Sequence, residues 1–111
     1  FIKRCFDEAV KNGTAVPYIP VAESIRRMID KDHSEVADRS AMVIIQTPQC
    51  FDSAILKKAY QADFRDSFTD DATVVEAAGH NIHLIEGERE NIKITYPSDL
   101  LFAEAILKLR N

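Results

Sequence analysis

The sequence predicts an α/β fold, in which helices cover both faces of a β-sheet. Segments with helical periodicity alternate with strand-like segments along the chain, as is typical of such sheets. The apolar run at residues 42–45 is rich in β-branched side chains and suits a buried parallel strand. A helix is predicted to follow over about residues 52–62. With 111 residues, 46% of them hydrophobic and 29% charged, the chain fits one globular domain.

The first predicted element is a helix. Apolar residues recur at helical spacing on one face, namely Ile2, Phe6, Ala9 and Val10. Gly13 supplies a stop, because glycine readily adopts the left-handed conformation that ends helices. No capping residue precedes this helix, and the chain does not begin with methionine. We therefore expect these residues to have been cut from a longer protein.

The next two segments are harder to assign from periodicity. Residues 14–21 are strand-like, but Pro17 and Pro20 cannot donate to a sheet ladder, which predicts an edge or irregular strand. Residues 24–40 fit either a helix or an alternating strand pair, with a polar turn candidate at residues 30–33. Spacing alone leaves both alternatives open for residues 24–40.

Two further helices and two strands are predicted in the second half. Thr69 is expected to cap a helix that ends at Gly79. Pro97 is expected to begin the last helix. Residues 81–86 and 92–95 read as short strands. The last helix is expected to face the core with a stripe formed by Leu100, Ala103, Ile106 and Leu107.

Composition excludes several classes of function. A net charge of −4 argues against general nucleic-acid or membrane-surface binding, since long anions need a broad basic face. Cys5 and Cys50 stand in no metal or redox spacing, which favours reduced thiols in a cytoplasmic protein. No apolar run approaches the ~20 residues of a membrane span. The three glycines are isolated, so no glycine-rich phosphate loop is visible.

Lys93 has two interpretations. In the predicted strand, alternation sends Ile92 and Ile94 to one face and Lys93 with Thr95 to the other. A lysine that faces away from an apolar face is usually a solvated surface charge. The pattern alone favours that ordinary role.

Three other polar side chains lie where ligands often bind. Thr69, at a helix N-terminus, would cap the helix and can also face an anion. Thr47 follows the predicted buried strand, and open α/β sheets bind ligands at the carboxyl ends of their parallel strands. Arg39 is most simply an ion pair with Asp38, although guanidinium is well shaped to hold phosphate.

Five motifs follow one another in a particular order. They are Thr47-Pro48-Gln49, Phe68 to Gly79, Glu86-Gly87, Asn91-Ile92-Lys93 and Pro97-Ser98-Asp99-Leu100. In this order and spacing they resemble the C-terminal half of the 2-C-methyl-D-erythritol 4-phosphate cytidylyltransferases. The resemblance covers essentially the whole chain and implies a Rossmann-like nucleotidyltransferase fold. It implies transfer of CMP from CTP to the polyol phosphate, with release of pyrophosphate, in the non-mevalonate isoprenoid pathway.

The resemblance also implies residue roles. Arg39 and Lys93 match the family residues that position the substrate phosphate for attack. Thr47 and Thr69 match residues that contact the substrate. Ser24 falls where the family usually has threonine, and it keeps the hydroxyl.

A homodimer is a further implication of the resemblance. Residues of about 22–41 would form a β-hairpin arm that reaches across to the partner subunit. That arrangement favours strands over a helix for residues 24–40. It would place Ser24 and Arg39 in the partner's active site, opposite Thr47, Thr69 and Lys93 of the other chain.

The resemblance implies a missing portion as well. The family's glycine-rich CTP loop and its segment near Mg²⁺ lie N-terminal to everything matched here, so residues 1–111 would be the C-terminal portion of one cytidylyltransferase domain. We expect these residues alone to be catalytically inactive and to expose apolar surface. Two alternatives remain open, namely the related ribitol-5-phosphate cytidylyltransferase and a non-catalytic dimerisation or substrate-binding remnant.

Overall fold

A computed structural model describes the whole chain, from Phe1 to Asn111. The helices are α1 (Ile2–Asn12), α2 (Ser53–Ala59), α3 (Asp71–Ala77) and α4 (Pro97–Arg110). The strands are β1 (Thr14–Pro20), β2 (Arg26–Met28), β3 (Ser34–Val36), β4 (Val43–Ile45), β5 (Cys50–Phe51) and β6 (Leu84–Glu86), and a 3-10 turn spans Arg39–Ala41. This succession confirms the predicted α/β class. None of the helices is both long and apolar enough to cross a membrane.

The main sheet has four strands and is mixed. β4 and β5 pair antiparallel with successive parts of β1, and β6 pairs parallel with β1. The registers place Tyr18 opposite Ile45, Ala15 opposite Cys50 and Val16 opposite Leu84. Each of the other three strands of the sheet is therefore hydrogen-bonded to β1, which lies at its centre.

Of the two alternatives predicted for residues 14–21, an edge or an irregular strand, the edge strand is wrong, because β1 lies at the centre of the sheet. Pro17 occurs in this central strand at the place where β4 and β5 are interrupted, and its carbonyl accepts the N–H of Gln46 at 2.9 Å. Pro17 is also in register with Ile85 of β6, so it takes part in the sheet as an acceptor although its ring nitrogen has no N–H to donate. Proline restricts the pairing of its own residue and does not by itself decide the strand's place in the sheet.

The strand predicted at residues 42–45 is neither buried nor parallel. The side chains of Val43, Ile44 and Ile45 are each about two-fifths exposed, at 40%, 42% and 41%. β4 runs antiparallel to β1 because the chain leaves β1 through a hairpin and returns beside it. A β-branched run predicts a strand, but its direction is set by the connection before it.

A hairpin projects between β1 and β4. β2 and β3 pair antiparallel, with Arg27 opposite Glu35, and these two side chains form an ion pair. At the tip, the carboxylate of Asp30 accepts the N–H of Asp32 at 2.8 Å and lies 2.8 Å from Nδ1 of His33. The structure therefore resolves the ambiguity at residues 24–40 in favour of strands, with the predicted polar turn between them.

The core is small. Ala59, Val74 and Val75 form a buried cluster where α2 meets α3, and a second buried set lies where α1 packs on β1. Only 11 of 111 residues are buried. The radius of gyration is 16.5 Å, against about 13 Å for a compact domain of this length. Much apolar surface is thus uncovered.

The stripe predicted to face the core on the last helix is largely exposed. α4 begins at Pro97 as predicted, but it has no buried residue, and Leu100 and Leu107 are each 60% exposed. Ala103 and Ile106 are half-buried. An apolar stripe indicates that a helix face suits a nonpolar neighbour. In this structure no other helix or strand packs extensively on the stripe of α4.

Four further elements differ from the sequence predictions. The strand predicted at residues 81–86 spans only Leu84–Glu86. The cap of α3 is Asp70 rather than Thr69, since the Asp70 carboxylate accepts the N–H of Thr73 at 2.9 Å. Residues 92–95 pair with no strand, so the strand predicted there is wrong. The predicted helix at 52–62 is present but shorter. α1 ends as predicted, with Gly13 in the left-handed conformation at φ 84°.

Candidate functional site

A cavity of about 450 Å³ opens between three segments of the chain. The turn after β4 contributes Thr47, the residue before the cap of α3 contributes Thr69, and the loop between β6 and α4 contributes Lys93. These are three of the five predicted site residues. They lie up to 46 positions apart in the sequence and meet only because β4 and β6 both pair with β1.

The polar heads of these three side chains are available to a ligand. Thr47 accepts a hydrogen bond through its carbonyl, and Thr69 donates one through its backbone N–H to Thr73. The carbonyl of Lys93 accepts from Thr95 at 3.5 Å. The hydrogen bonds of the three residues thus run through backbone atoms. Two hydroxyls and one ammonium remain free for contacts inside the cavity.

Thr69 stands just outside the capping arrangement of α3. Asp70 and Thr73 satisfy each other's backbone N–H groups in a capping box. Since the cap does not use the hydroxyl of Thr69, that hydroxyl keeps the freedom that a capping role would have removed. The predicted role as a cap is wrong, whereas its position beside a helix N-terminus is as expected.

Gln49 fastens the Thr-Pro-Gln turn to α3. Its side-chain amide donates to the carboxylate of Asp70 at 3.0 Å, and its carbonyl oxygen accepts the N–H of Ala72 at 3.1 Å. The turn that presents Thr47 is therefore fixed against the helix start that presents Thr69. In the sequence Gln49 is visible only as part of a motif, and this contact was not predicted.

Ser24 and Arg39 do not line the cavity. Ser24 is exposed in the segment before β2. Arg39 lies in the 3-10 turn, where its guanidinium donates to the carbonyl of Ala22 at 2.8 Å. Asp38 caps that turn by accepting the N–H of Ser40. Within one chain, the structure therefore separates these two predicted residues from Thr47, Thr69 and Lys93.

The charges around the cavity favour an anion. Arg89, which no motif singled out, also lines it and donates to the carbonyl of Pro20 at 3.2 Å. Lys93 adds a second cation. The carboxylate of Asp70 is already engaged by Gln49 and Thr73. No sequence signal could have found Arg89, since the shape of its loop determines where this side chain points.

A larger groove, of about 910 Å³, lies between the start of α1 and α4. It shares Thr47, Asn91 and Ile92 with the smaller cavity, but neither Thr69 nor Lys93 lines it. Half of its lining residues are apolar, and it also contains charged side chains, among them Glu88, Glu90 and Arg110. Only the smaller cavity brings Thr69 and Lys93 together. No group of three or more His, Cys, Asp or Glu side chains is placed to hold a metal ion.

Solved structures define the class of protein. The crystal structure of 2-C-methyl-D-erythritol 4-phosphate cytidylyltransferase from Thermus thermophilus matches with a TM-score of 0.79 and 33% identity, over 96% of this chain and 54% of that one. The bifunctional IspDF from Campylobacter jejuni matches with a TM-score of 0.71 and 32% identity, over 91% of this chain and 26% of that one. The fold is thus that of the α/β nucleotidyltransferases.

Sequence relatives define the family. The 2-C-methyl-D-erythritol 4-phosphate cytidylyltransferases of Bacteroides fragilis and Bacteroides thetaiotaomicron are 49% and 45% identical over 106 residues, which is 96% of this chain and 48% of each relative. The sequence model of IspD, 2-C-methyl-D-erythritol 4-phosphate cytidylyltransferase, matches residues 2–109. The chain belongs to the IspD family, which confirms the family that its motifs indicated. It spans about half the length of the curated relatives it matches.

Proposed function

We propose that these residues form the acceptor side of an enzyme that transfers CMP from CTP to 2-C-methyl-D-erythritol 4-phosphate. The observation that carries the proposal is the convergence of Thr47, Thr69 and Lys93 on one cavity, in a chain of the IspD family. The match of all three to motifs of the family supports the same roles for them here. The cavity would receive the phosphate of the polyol.

The proposed reaction is a displacement at phosphorus. A phosphate oxygen of the polyol attacks the α-phosphorus of CTP and forms a new P–O bond. The bond from the α-phosphorus to the oxygen that bridges to the β-phosphorus breaks, and its electrons leave with pyrophosphate. Both reactants are anions, so the protein contributes mainly by positioning them and offsetting their charge. The ammonium of Lys93 would hold the attacking phosphate, and the hydroxyls of Thr47 and Thr69 would orient it.

The proposed enzyme is a homodimer with shared sites. The β2–β3 hairpin, within residues 22–41, would act as an arm that carries Ser24 and Arg39 to the partner's cavity. The exposure of the side chains in both strands supports this role, because such a hairpin can lie against a second chain. So does the separation of Arg39 from the cavity of its own chain.

We also propose that CTP and Mg²⁺ are bound largely outside residues 1–111, which would be the C-terminal portion of a single domain. The double length of the relatives and the absence of clustered glycines support this division. Mg²⁺ is the metal that the family implies, and these residues form no group that fits it. No step of the proposed reaction runs through a metal held by this chain. The reaction would take place in the cytoplasm, and residues 1–111 alone would be inactive.

Pyrophosphate release tests the proposal. The full-length protein that carries this sequence is incubated with CTP and either 2-C-methyl-D-erythritol 4-phosphate or ribitol 5-phosphate. Release with the first acceptor alone supports the proposal. Release with the second alone supports a ribitol-5-phosphate cytidylyltransferase, and release with neither favours a non-catalytic dimerisation or substrate-binding remnant.

A further inference from the structure

We propose that Gln46 is a positioning residue for Lys93. Its buried side chain clamps the loop that precedes Lys93 and so fixes where the ammonium stands in the cavity. The inference rests on the proposed function, in which Lys93 holds the acceptor phosphate. It adds a residue to which no sequence motif assigned a role.

The first observation is the bonding of the amide of Gln46. The residue is 9% exposed, and its Nε2 donates to the carbonyls of Glu88 and Asn91 at 2.7 and 3.1 Å. Its Oε1 accepts the N–H of Glu88 at 3.2 Å. A buried amide is costly unless it is paired, and here both ends are paired with the same loop. One side chain from the end of β4 therefore holds residues 88–91.

The second observation is how closely the loop is fitted around that side chain. A Cβ at Gly87 would stand 2.1 Å from Oε1 of Gln46 and 2.9 Å from the carbonyl oxygen of Tyr18. The N–H of Gly87 donates to that same carbonyl at 2.7 Å. Only a residue without a side chain lets the loop approach β1 and Gln46 this closely. Gly87 therefore permits the hydrogen bonds between Gln46 and residues 88–91.

The third observation is what else holds Lys93. Residues 92–95 pair with no strand, so no sheet ladder fixes them. C-terminal to Lys93, the carboxylate of Asp99 accepts hydrogen bonds from the N–H groups of Thr95 and Tyr96. N-terminal to Lys93, the anchor is Asn91, whose carbonyl accepts a hydrogen bond from the side chain of Gln46. The position of Lys93 is therefore set between two anchors. Gln46 supports the one next to the cavity together with the bond from the Asn91 side-chain amide to the carbonyl of Thr47.

The main variant is Gln46→Met in the full-length protein. Methionine keeps the length and much of the shape of the side chain and removes all three hydrogen bonds. Gln61→Met is the matched control, because Gln61 is an exposed glutamine beyond α2 and away from the cavity. Gln46→Glu keeps the acceptor for Glu88 and replaces the donors, so it serves as a second variant if Gln46→Met does not fold.

Steady-state kinetics distinguish positioning from general damage. We expect Gln46→Met to lower kcat/KM for the polyol phosphate about ten- to a hundredfold, while KM for CTP and the kinetics of Gln61→Met stay at the wild-type values. Because Gln46 acts through Lys93, the double variant Gln46→Met/Lys93→Ala should be no slower than Lys93→Ala alone. The inference is overturned if the double variant is slower than Lys93→Ala by the full factor lost in Gln46→Met. It is also overturned if Gln46→Met raises KM equally for CTP and the polyol phosphate, or leaves the kinetics unchanged.

Calorimetric titration with inorganic phosphate separates this inference from the proposed function. If the wild-type protein releases no pyrophosphate with either acceptor, the proposed function fails, and phosphate affinity then decides the role of Gln46. Weaker phosphate binding in Gln46→Met, with no further loss in the double variant, supports the clamp. Phosphate binding that is absent from the wild type or unchanged in Gln46→Met overturns it.

Discussion

The side-chain amide of Asn91 donates to the carbonyl of Thr47 at 2.6 Å. This bond joins the loop that carries Lys93 to the turn that carries Thr47, so the two walls of the cavity share a direct link. Together with the contacts of Gln46 and Gln49, it makes the position of each polar head depend on the others. Predictions about the site therefore concern geometry as much as charge.

The first prediction concerns charge. Lys93→Ala in the full-length protein should lower turnover by about ten- to a hundredfold, because one charge-assisted bond to the transferring phosphate is lost. Its melting temperature should stay at the wild-type value, since the side chain is exposed. Lys57→Ala, an exposed lysine on α2, is the matched control and should be fully active. Normal pyrophosphate release by Lys93→Ala would contradict the assigned role.

The second prediction concerns the shared site. Arg39→Ala and Lys93→Ala should each retain about a tenth to a hundredth of wild-type turnover as homodimers. When the two variants are mixed and allowed to exchange subunits, half of the dimers carry one intact site, so activity should recover to about a quarter of wild type. If both residues serve the same subunit, no mixture regains activity.

The third prediction separates capping from binding at the start of α3. Thr69→Val should lower pyrophosphate release while the free energy of unfolding stays nearly unchanged, because the hydroxyl of Thr69 takes no part in the cap. Asp70→Ala removes the cap and should cost about 1 kcal/mol of stability. Urea unfolding of both variants, followed by circular dichroism, gives the comparison. A larger stability loss in Thr69→Val than in Asp70→Ala would show that Thr69, and not Asp70, caps α3.

The fourth prediction concerns pH. Hydrogen bonds from the backbone N–H groups of Tyr96 and Thr95 hold the pKa of Asp99 below its ordinary value. A lowered folded-state pKa means that the stabilisation is present above the unfolded pKa of about 4 and is lost as the pH falls through the folded pKa. NMR titration should show the amide of Tyr96 shifting together with the Asp99 carboxyl. Asp99→Asn should abolish that shift, and titration of Asp99 at or above its ordinary pKa would refute the contact.

Local chemistry made part of the fold predictable. Gly13, Pro97 and the polar turn at residues 30–33 each act on their immediate neighbours, and the structure places all three as expected. The predicted cap of α3 is wrong by one residue. Thr69 and Asp70 are both of the types that cap helices, and only the position of Thr73 in the folded chain decides between them.

Long-range pairing made the rest unpredictable. The central position of β1, the direction of β4 and the exposure of α4 depend on which segments meet, and no window of sequence contains that information. The site divides in the same way. Thr47, Thr69 and Lys93 were found through their motifs, whereas Arg89 and Gln46 act through a loop shape that only the folded chain reveals.

The central place of β1 has a consequence for how a ligand and the fold depend on each other. Thr47 follows a strand that pairs antiparallel with β1, and Lys93 lies in the loop after a strand that pairs parallel with β1. A phosphate that touches both residues can bind only after the two pairings have formed, so its binding is thermodynamically linked to the whole sheet. Saturating phosphate at about a hundred times its dissociation constant would add about 2.7 kcal/mol to the free energy of unfolding. The occupied cavity would then act as a non-covalent cross-link between the two halves of the sheet.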